Sequence, residues 1–196
     1  ISRAIGKSWL FKPEIMICVP AGCTQVERRA AQDATMSAGA RQVYLIDEPL
    51  AAAIGAGIPI AEASGNMILD IGGGSAEAAV IALGGVVVHK SVRVGGTKLD
   101  ESIVDYARRT HSLIIGDQTA EAVKIKIGSA TKLAREETMN VKGRDVVTGL
   151  PRTIVFTSTD IFNAMQKPLS QIVGVVKSVL EETPPELSSD IIDKGI

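Results

Sequence analysis

Aromatic side chains are scarce in this chain, with one Trp, two Tyr and three Phe among 196 residues. That scarcity leaves no stacking platform for the bases of a single-stranded nucleic acid. The formal charge of -1 removes the other half of such an interface, the basic surface that neutralises phosphates. Nucleic acid is therefore not expected as a partner. The two cysteines, Cys18 and Cys23, are too few for a disulfide framework, and with the isolated His89 and His111 they make no metal-ligand spacing. Reduced thiols in a cytosolic protein are the expectation. No apolar run reaches the length of a membrane span. Repeats and low-complexity tracts are missing too. The chain opens at Ile1 without a signal peptide, so a piece of a longer protein is expected. Its length suffices for one large or two small domains with a sizeable core.

Among the features present, the stretch Asn66-Met67-Ile68-Leu69-Asp70-Ile71-Gly72-Gly73-Gly74-Ser75 says the most. An apolar strand ends in an acid and three glycines. Beyond them an apolar run over 76–83 turns at Gly84-Gly85, and Val86-Val87-Val88 opens another β-branched run. The pattern predicts strand, turn, strand, turn, strand. A dinucleotide fingerprint or a P-loop needs a helix straight after its glycines, and none is predicted here. The glycines therefore belong to a hairpin tip, where the lack of Cβ atoms lets backbone N–H groups approach a polyphosphate. Asp70 at the strand end suits a magnesium ion that keeps its water ligands. An ordinary glycine turn with a solvated aspartate is the alternative.

The rest of the chain alternates in type. A strand is expected over 13–19, then a helix over 28–38 opened by a capping box, Thr24 with Glu27, and closed near Gly39. A second strand over 42–46 leads through Asp47-Glu48-Pro49 into a short helix over 50–56. Strand, helix, strand, helix and a three-strand meander indicate an α/β fold with a mixed sheet. Further on, Thr97 is expected to cap a helix with Asp100 at its N3 position. Another helix is expected over 119–127, a charged loop over 132–137, and a hairpin of 141–147 with 153–157. A long amphipathic helix over 161–182 carries Pro168, which either kinks it or starts a new one. A last short helix is expected over 186–194.

Seven stretches, VPAGCTQVERRA, YLIDEPLAAAIGAGIP, SGNMILDIGGGSAE, VRVGGTKLDESIVDYARR, IGDQTAEAVKIKIGSA, VKGRDVVTGLPRT and ETPPELSSDIIDKGI, resemble the MreB family of bacterial actin-like proteins that set rod shape. They cover nearly the whole chain in the family's order. The glycine hairpin is shared with actins, heat-shock chaperone ATPase domains and sugar kinases. The LIDEP-type helix start together with TGLPRT and TPPEL is more specific to this family. The resemblance implies an actin-like ATPase fold, ribonuclease H-like, a mixed sheet with flanking helices plus a smaller outer lobe. Residues 1–63 would be the remainder of the first actin-like domain. Residues 64–96 and 181–196 would form the core of the second, and 97–180 its outer lobe.

The resemblance also implies roles. Asp70, Gly72, Gly73 and Gly74 would form a phosphate-binding hairpin for ATP, with Asp70 contacting Mg2+ through water. Glu48 would position the attacking water, and Ser75, where the family usually has threonine, keeps a hydroxyl beside it. Without the resemblance, Glu48 followed by Pro49 reads as a helix start favoured by the macrodipole. Gly95 and Gly96 would line the nucleotide, and Glu121 and Lys124, three apart on one helix face, would reach its ribose and adenine side. A salt-bridged surface pair is the alternative for those two. Ala76, where threonine is common, is a second departure. The family's first phosphate hairpin and its later adenosine segment are not in the chain, so weak ATP binding and negligible hydrolysis are expected of it alone.

The function so implied is that of an ATP-binding cytoskeletal protein, cytoplasmic and at the inner face of the cell membrane. It would polymerise into membrane-associated filaments that direct rod shape and cell-wall synthesis, its partners being itself, the membrane surface and cell-wall elongation membrane proteins. Trp9-Leu10-Phe11, between Lys7 and Lys12, suits a membrane-contacting loop; packing back on the following strand is the alternative. A phosphotransferase of the same superfamily and a chaperone-like ATPase are the competing functions.

Overall fold

The computed structural model describes residues 12–196, so Trp9, Leu10 and Phe11 lie outside the described residues. The chain divides into two compact units. One holds the residues up to Asp70 with Glu77–Ser91 and Ser178–Ile196; the other holds Ile71–Ala76 with Val92–Lys177.

In the first unit, strand β1 (Glu14–Val19) runs parallel to β2 (Gln42–Asp47), with Ile15 opposite Val43 and Val19 opposite Asp47. A parallel pair needs a crossover, and helix α1 (Gln25–Ser37) provides it. The capping box forms as the sequence predicts. Glu27 N–H donates to Thr24 Oγ1 at 3.2 Å and Thr24 N–H to the Glu27 carboxylate at 2.9 Å, an arrangement worth about 1 kcal/mol. Helix α2 (Glu48–Gly55) starts at the residue after β2, with Pro49 in its first turn and Ala53 fully buried.

Strands β3 (Asn66–Ile71), β4 (Ala76–Ala82) and β5 (Gly85–Val92) pair in chain order. Every residue of the central β4 is buried. The β4–β5 turn is Leu83-Gly84 rather than Gly84-Gly85. Both residues have positive φ, 52° and 74°, the signature of a two-residue hairpin turn that matches strand twist. Gly85 instead opens β5. Helix α6 (Pro185–Lys194) holds the entry to β3: Gly65 N–H donates to Asp190 Oδ2 at 2.7 Å, and Lys194 Nζ to Asn66 Oδ1 at 3.1 Å.

The second unit is built on helix α3 (Gly96–His111), strand β6 (Leu113–Ile114), helix α4 (Asp117–Ile127) and the hairpin of β7 (Thr138–Asp145) with β8 (Pro151–Thr157). Helix α5 (Ser158–Glu182) begins in this unit and ends in the first. Its core gathers Ile103 and Ala107 from α3, Val123 from α4, Val141 from β7, and Phe156 with Ile161 from the β8–α5 junction. Three local readings change. The two-residue β6 has no sequence signal of its own and exists because β7 pairs with it, Leu113 opposite Asp145. Strand β7 starts three residues before the expected position. Pro168 sits inside a single helix rather than dividing it.

Asp145 ties the β7–β8 turn. Its Oδ1 accepts N–H bonds from Val147 and Thr148, both at 2.9 Å, and its Oδ2 takes Arg152 Nη1 at 2.9 Å. These donors, the Thr148 amide foremost, hold its carboxyl down at about 2. A depressed carboxyl stabilises the fold above its unfolded-state value near 3.8 and loses that contribution as pH falls toward 2. Thermal unfolding followed between those values should show a loss of stability that Asp145→Asn removes, together with a lower melting temperature at neutral pH.

Candidate functional site

The loop joining β3 to β4 is closed by Gly72 N–H donating to the Ser75 carbonyl at 2.9 Å. The residues that open α3 dock onto this loop backbone to backbone. Gly96 N–H donates to the Gly72 carbonyl at 2.9 Å and Thr97 N–H to the Gly73 carbonyl at 2.8 Å. A Cβ on Gly95 would lie 2.4 Å from Gly72 O and 2.8 Å from Gly73 O, so only glycine fits there. The outer side of the loop is open: a Cβ on Gly74 would meet nothing within 4 Å, and one on Gly73 only Thr97 Oγ1 at 3.8 Å. A shallow glycine cradle beside the start of a 16-residue helix fits phosphate groups, which backbone amides and the helix dipole both favour. Ser75 is exposed at the end of the same loop.

Thr97 does not cap α3. The N-cap is Gly95, which has no side chain to make a cap bond, so Thr97 falls inside the first turn and its amide donates to the Gly73 carbonyl instead. Asp100 is thereby released to face Lys124 of α4, whose Nζ lies 2.9 Å from Oδ1 and 3.0 Å from Oδ2 and also donates to the Gly96 carbonyl at 3.2 Å. Lys124 thus braces the glycine segment. Its ion pair is with Asp100, not with Glu121, which is exposed. The surface-pair alternative for Glu121 and Lys124 is replaced by a half-buried bridge between helices.

In the first unit, acids converge. Glu48 stands half-buried in the first turn of α2, Asp47 ends β2, and Asp70 is the penultimate residue of β3. Asp47 is also paired with Arg28 of α1. Glu77 on β4 is buried, and that burial pushes its carboxyl up; the Ala21 amide is the next effect and opposes it, and Glu48, Asp47 and Asp70 each add a smaller upward push. Glu77 carries no role expected from the sequence; its one signal there is a single acid within the otherwise apolar 76–82 run. Among the described residues no three His, Cys, Asp or Glu side chains are arranged to hold a metal ion.

The Gly95 contact yields a sharp contrast between two glycines. Gly95→Ala should destabilise the fold by about 1–3 kcal/mol through overlap with the Gly72 and Gly73 carbonyls, while Gly74→Ala stays within about 1 kcal/mol of the parent. Chemical denaturation of the two variants checks this.

The family model described as MreB/Mbl protein matches residues 1–196. The cell shape-determining protein MreB of Escherichia coli K12 is 50% identical over 184 residues, covering 94% of this chain and 53% of that protein. The cell shape-determining protein Mbl of Bacillus subtilis 168 is 45% identical over 196 residues, which is 100% of this chain and 59% of that protein. The chain spans about half the length of the curated relatives it matches. Among solved structures, MreB5 of Spiroplasma citri bound to ADP superposes with a TM-score of 0.90 at 40% identity, over 93% of this chain and 56% of that one. The MamK double helical filament gives 0.72 at 19% identity, over 90% and 52%, which shows a common fold. The fold is therefore the actin-like one, and with a family match along its whole length and 50% identity to an MreB over 184 residues, the chain belongs to the MreB/Mbl family.

Proposed function

We propose that this chain is the nucleotide-handling part of an actin-like cytoskeletal protein that binds ATP with Mg2+, polymerises, and directs cell shape from the inner face of the membrane. The observation that carries the reading is the interlock of Gly72 and Gly73 with Gly95, Gly96 and Thr97. It builds a rigid, Cβ-free cradle that a simple hairpin turn has no need of. The relatives agree in kind: MreB5 of Spiroplasma citri has been crystallised with ADP and with AMPPNP, and MamK forms a double helical filament.

In this reading Gly73 and Gly74 present backbone amides to the phosphates, Gly72 closes the loop beneath them through the Ser75 carbonyl, and Gly95 and Gly96 support that loop. Glu121 and Lys124 on α4 face the nucleoside. Asp70 accepts hydrogen bonds from the water shell of Mg2+, an ion that neutralises charge on the phosphates when bound. Glu48 accepts a hydrogen bond from the attacking water and Ser75 adds a hydroxyl. The water oxygen bonds to the γ-phosphorus as the bond to the β,γ-bridging oxygen breaks; ADP and inorganic phosphate leave, the water's proton passing to the released phosphate. A nucleotide shifts the polymer equilibrium only as far as its affinities for the free and assembled forms differ. Trp9, Leu10 and Phe11 bring the polymer to the bilayer. Three side chains contribute only a few kcal/mol, so attachment depends on many copies along one filament. Cell-wall elongation membrane proteins are the further partners.

Sedimentation of a full-length protein carrying this chain, with and without ATP, Mg2+ and liposomes, tests the reading. Nucleotide-dependent pelleting is expected, with Glu48→Ala slowing phosphate release about 100-fold while filaments persist. No pelleting at any concentration, alongside phosphoryl transfer to a small acceptor, would replace the reading with a phosphotransferase. In the same assay the double substitution Leu10→Ser with Phe11→Ser should abolish liposome co-sedimentation and leave polymerisation intact.

A further inference from the structure

Glu77 has none of the roles given above, and its surroundings call for one. It is 5% exposed on a strand buried from end to end. Neither carboxylate oxygen has a hydrogen-bond partner among the described residues; the Ala21 amide lies near enough to favour the charged form without meeting hydrogen-bond geometry. From β5, His89 faces it with Nδ1 3.6 Å from Oε1, and that nitrogen is equally buried and partnerless. Gly22 lies beside the imidazole, where an added Cβ would be in ordinary contact 3.6 Å from His89 Cε1, and the His89 side chain as a whole is 36% exposed.

The other charged and titratable groups around the pair are mostly acidic. They are Asp47 at the end of β2, Glu48 at the start of α2 and Asp70 on β3. Cys23, before α1, feels both Glu48 and Glu77, and the Arg28 guanidinium is engaged with Asp47. A buried carboxylate with no donor, in the field of three acids, is costly. A buried imidazole nitrogen with no partner adds to that cost. One proton between the two removes both penalties, as Oε1–H···Nδ1 or as Oε1···H–Nδ1.

We propose that Glu77 and His89 share one proton across the β4–β5 pair and together act as positioning residues for Glu48. The inference rests on the role given to Glu48 in the proposed function. With the proton present the pair adds no negative charge beneath Glu48, and the first turn of α2 stays seated. Without it, Glu77 repels Glu48, Asp47 and Asp70, and α2 loosens from the strands that hold it. The direction of the Glu77 shift, upward through burial and these acids, agrees with a retained proton. The sign follows: the folded state binds the proton more tightly than the unfolded chain does, so stability falls as pH rises through the value of the pair.

The test measures thermal unfolding without nucleotide across pH, and ATP turnover with nucleotide affinity, in a full-length protein carrying this chain. The parent should lose melting temperature with rising pH in the range where the pair releases its proton. Glu77→Gln, which cannot ionise, should flatten that slope. His89→Ala should lower both melting temperature and turnover, turnover by about tenfold, with ATP affinity nearly unchanged. His89→Asn, which restores a donor near the Nδ1 position, should recover most of the loss. A Glu77→Gln slope parallel to the parent's, or a His89→Ala variant matching the parent in both readouts, overturns the inference. Absence of ATP turnover in the parent would overturn the proposed function instead, and the unfolding measurements would still decide the pair.

Discussion

The contact between Gly95 and the carbonyls of Gly72 and Gly73 is the constraint on which the candidate site depends. Two backbone segments more than twenty residues apart come within hydrogen-bond range because neither carries a Cβ at the meeting point. That approach seats the first turn of α3 against the loop and spends the Thr97 amide on Gly73. The consequences run outward. Thr97 lies inside the first turn rather than at its cap, Asp100 meets Lys124, and Lys124 reaches back to the Gly96 carbonyl. A single steric condition thus arranges a loop, a helix start and an inter-helix ion pair.

The acids of the first unit obey a different economy. Glu48 and Asp70 stand half-buried at element ends, and Glu48 lies in the first turn of a helix, where the dipole favours an acid. Glu77 has neither help, being the second residue of a fully buried strand. Natural sequences place a polar group so deep only where packing alone is not the purpose. The side chain that faces it is His89, with Nδ1 3.6 Å from Oε1. The pairing of a buried acid with a histidine therefore couples the charge of this region to proton supply.

Membership of the MreB/Mbl family and the geometry reinforce each other without being the same argument. Family likeness spans the whole chain, but it speaks for proteins nearly twice as long. The cradle speaks for this chain alone: its glycines are where a backbone approach demands them, and its outer face is left open. A phosphotransferase would need a further unassigned base; the remaining acid nearby, Glu77, is buried against His89.

Much was readable from local order. The Thr24–Glu27 capping box, the crossover between two short strands and the three-strand meander with its glycine loop all depend on neighbours within a few residues, and all form as expected. The reading failed where a distant partner decides the outcome. Two-residue β6 exists only through β7, Asp100 leaves its expected capping position for Lys124, and the β4–β5 turn moves back by one residue to Leu83 despite the cost of a positive φ. By itself, the sequence determined the α/β character, the order of elements and the kinship, because short-range propensities and motif spacing are written residue by residue. Only the tertiary structure decided that Gly95 must be glycine, that Lys124 braces Gly96, and that Glu77 meets His89, because each depends on atoms brought together by folding across long stretches of chain.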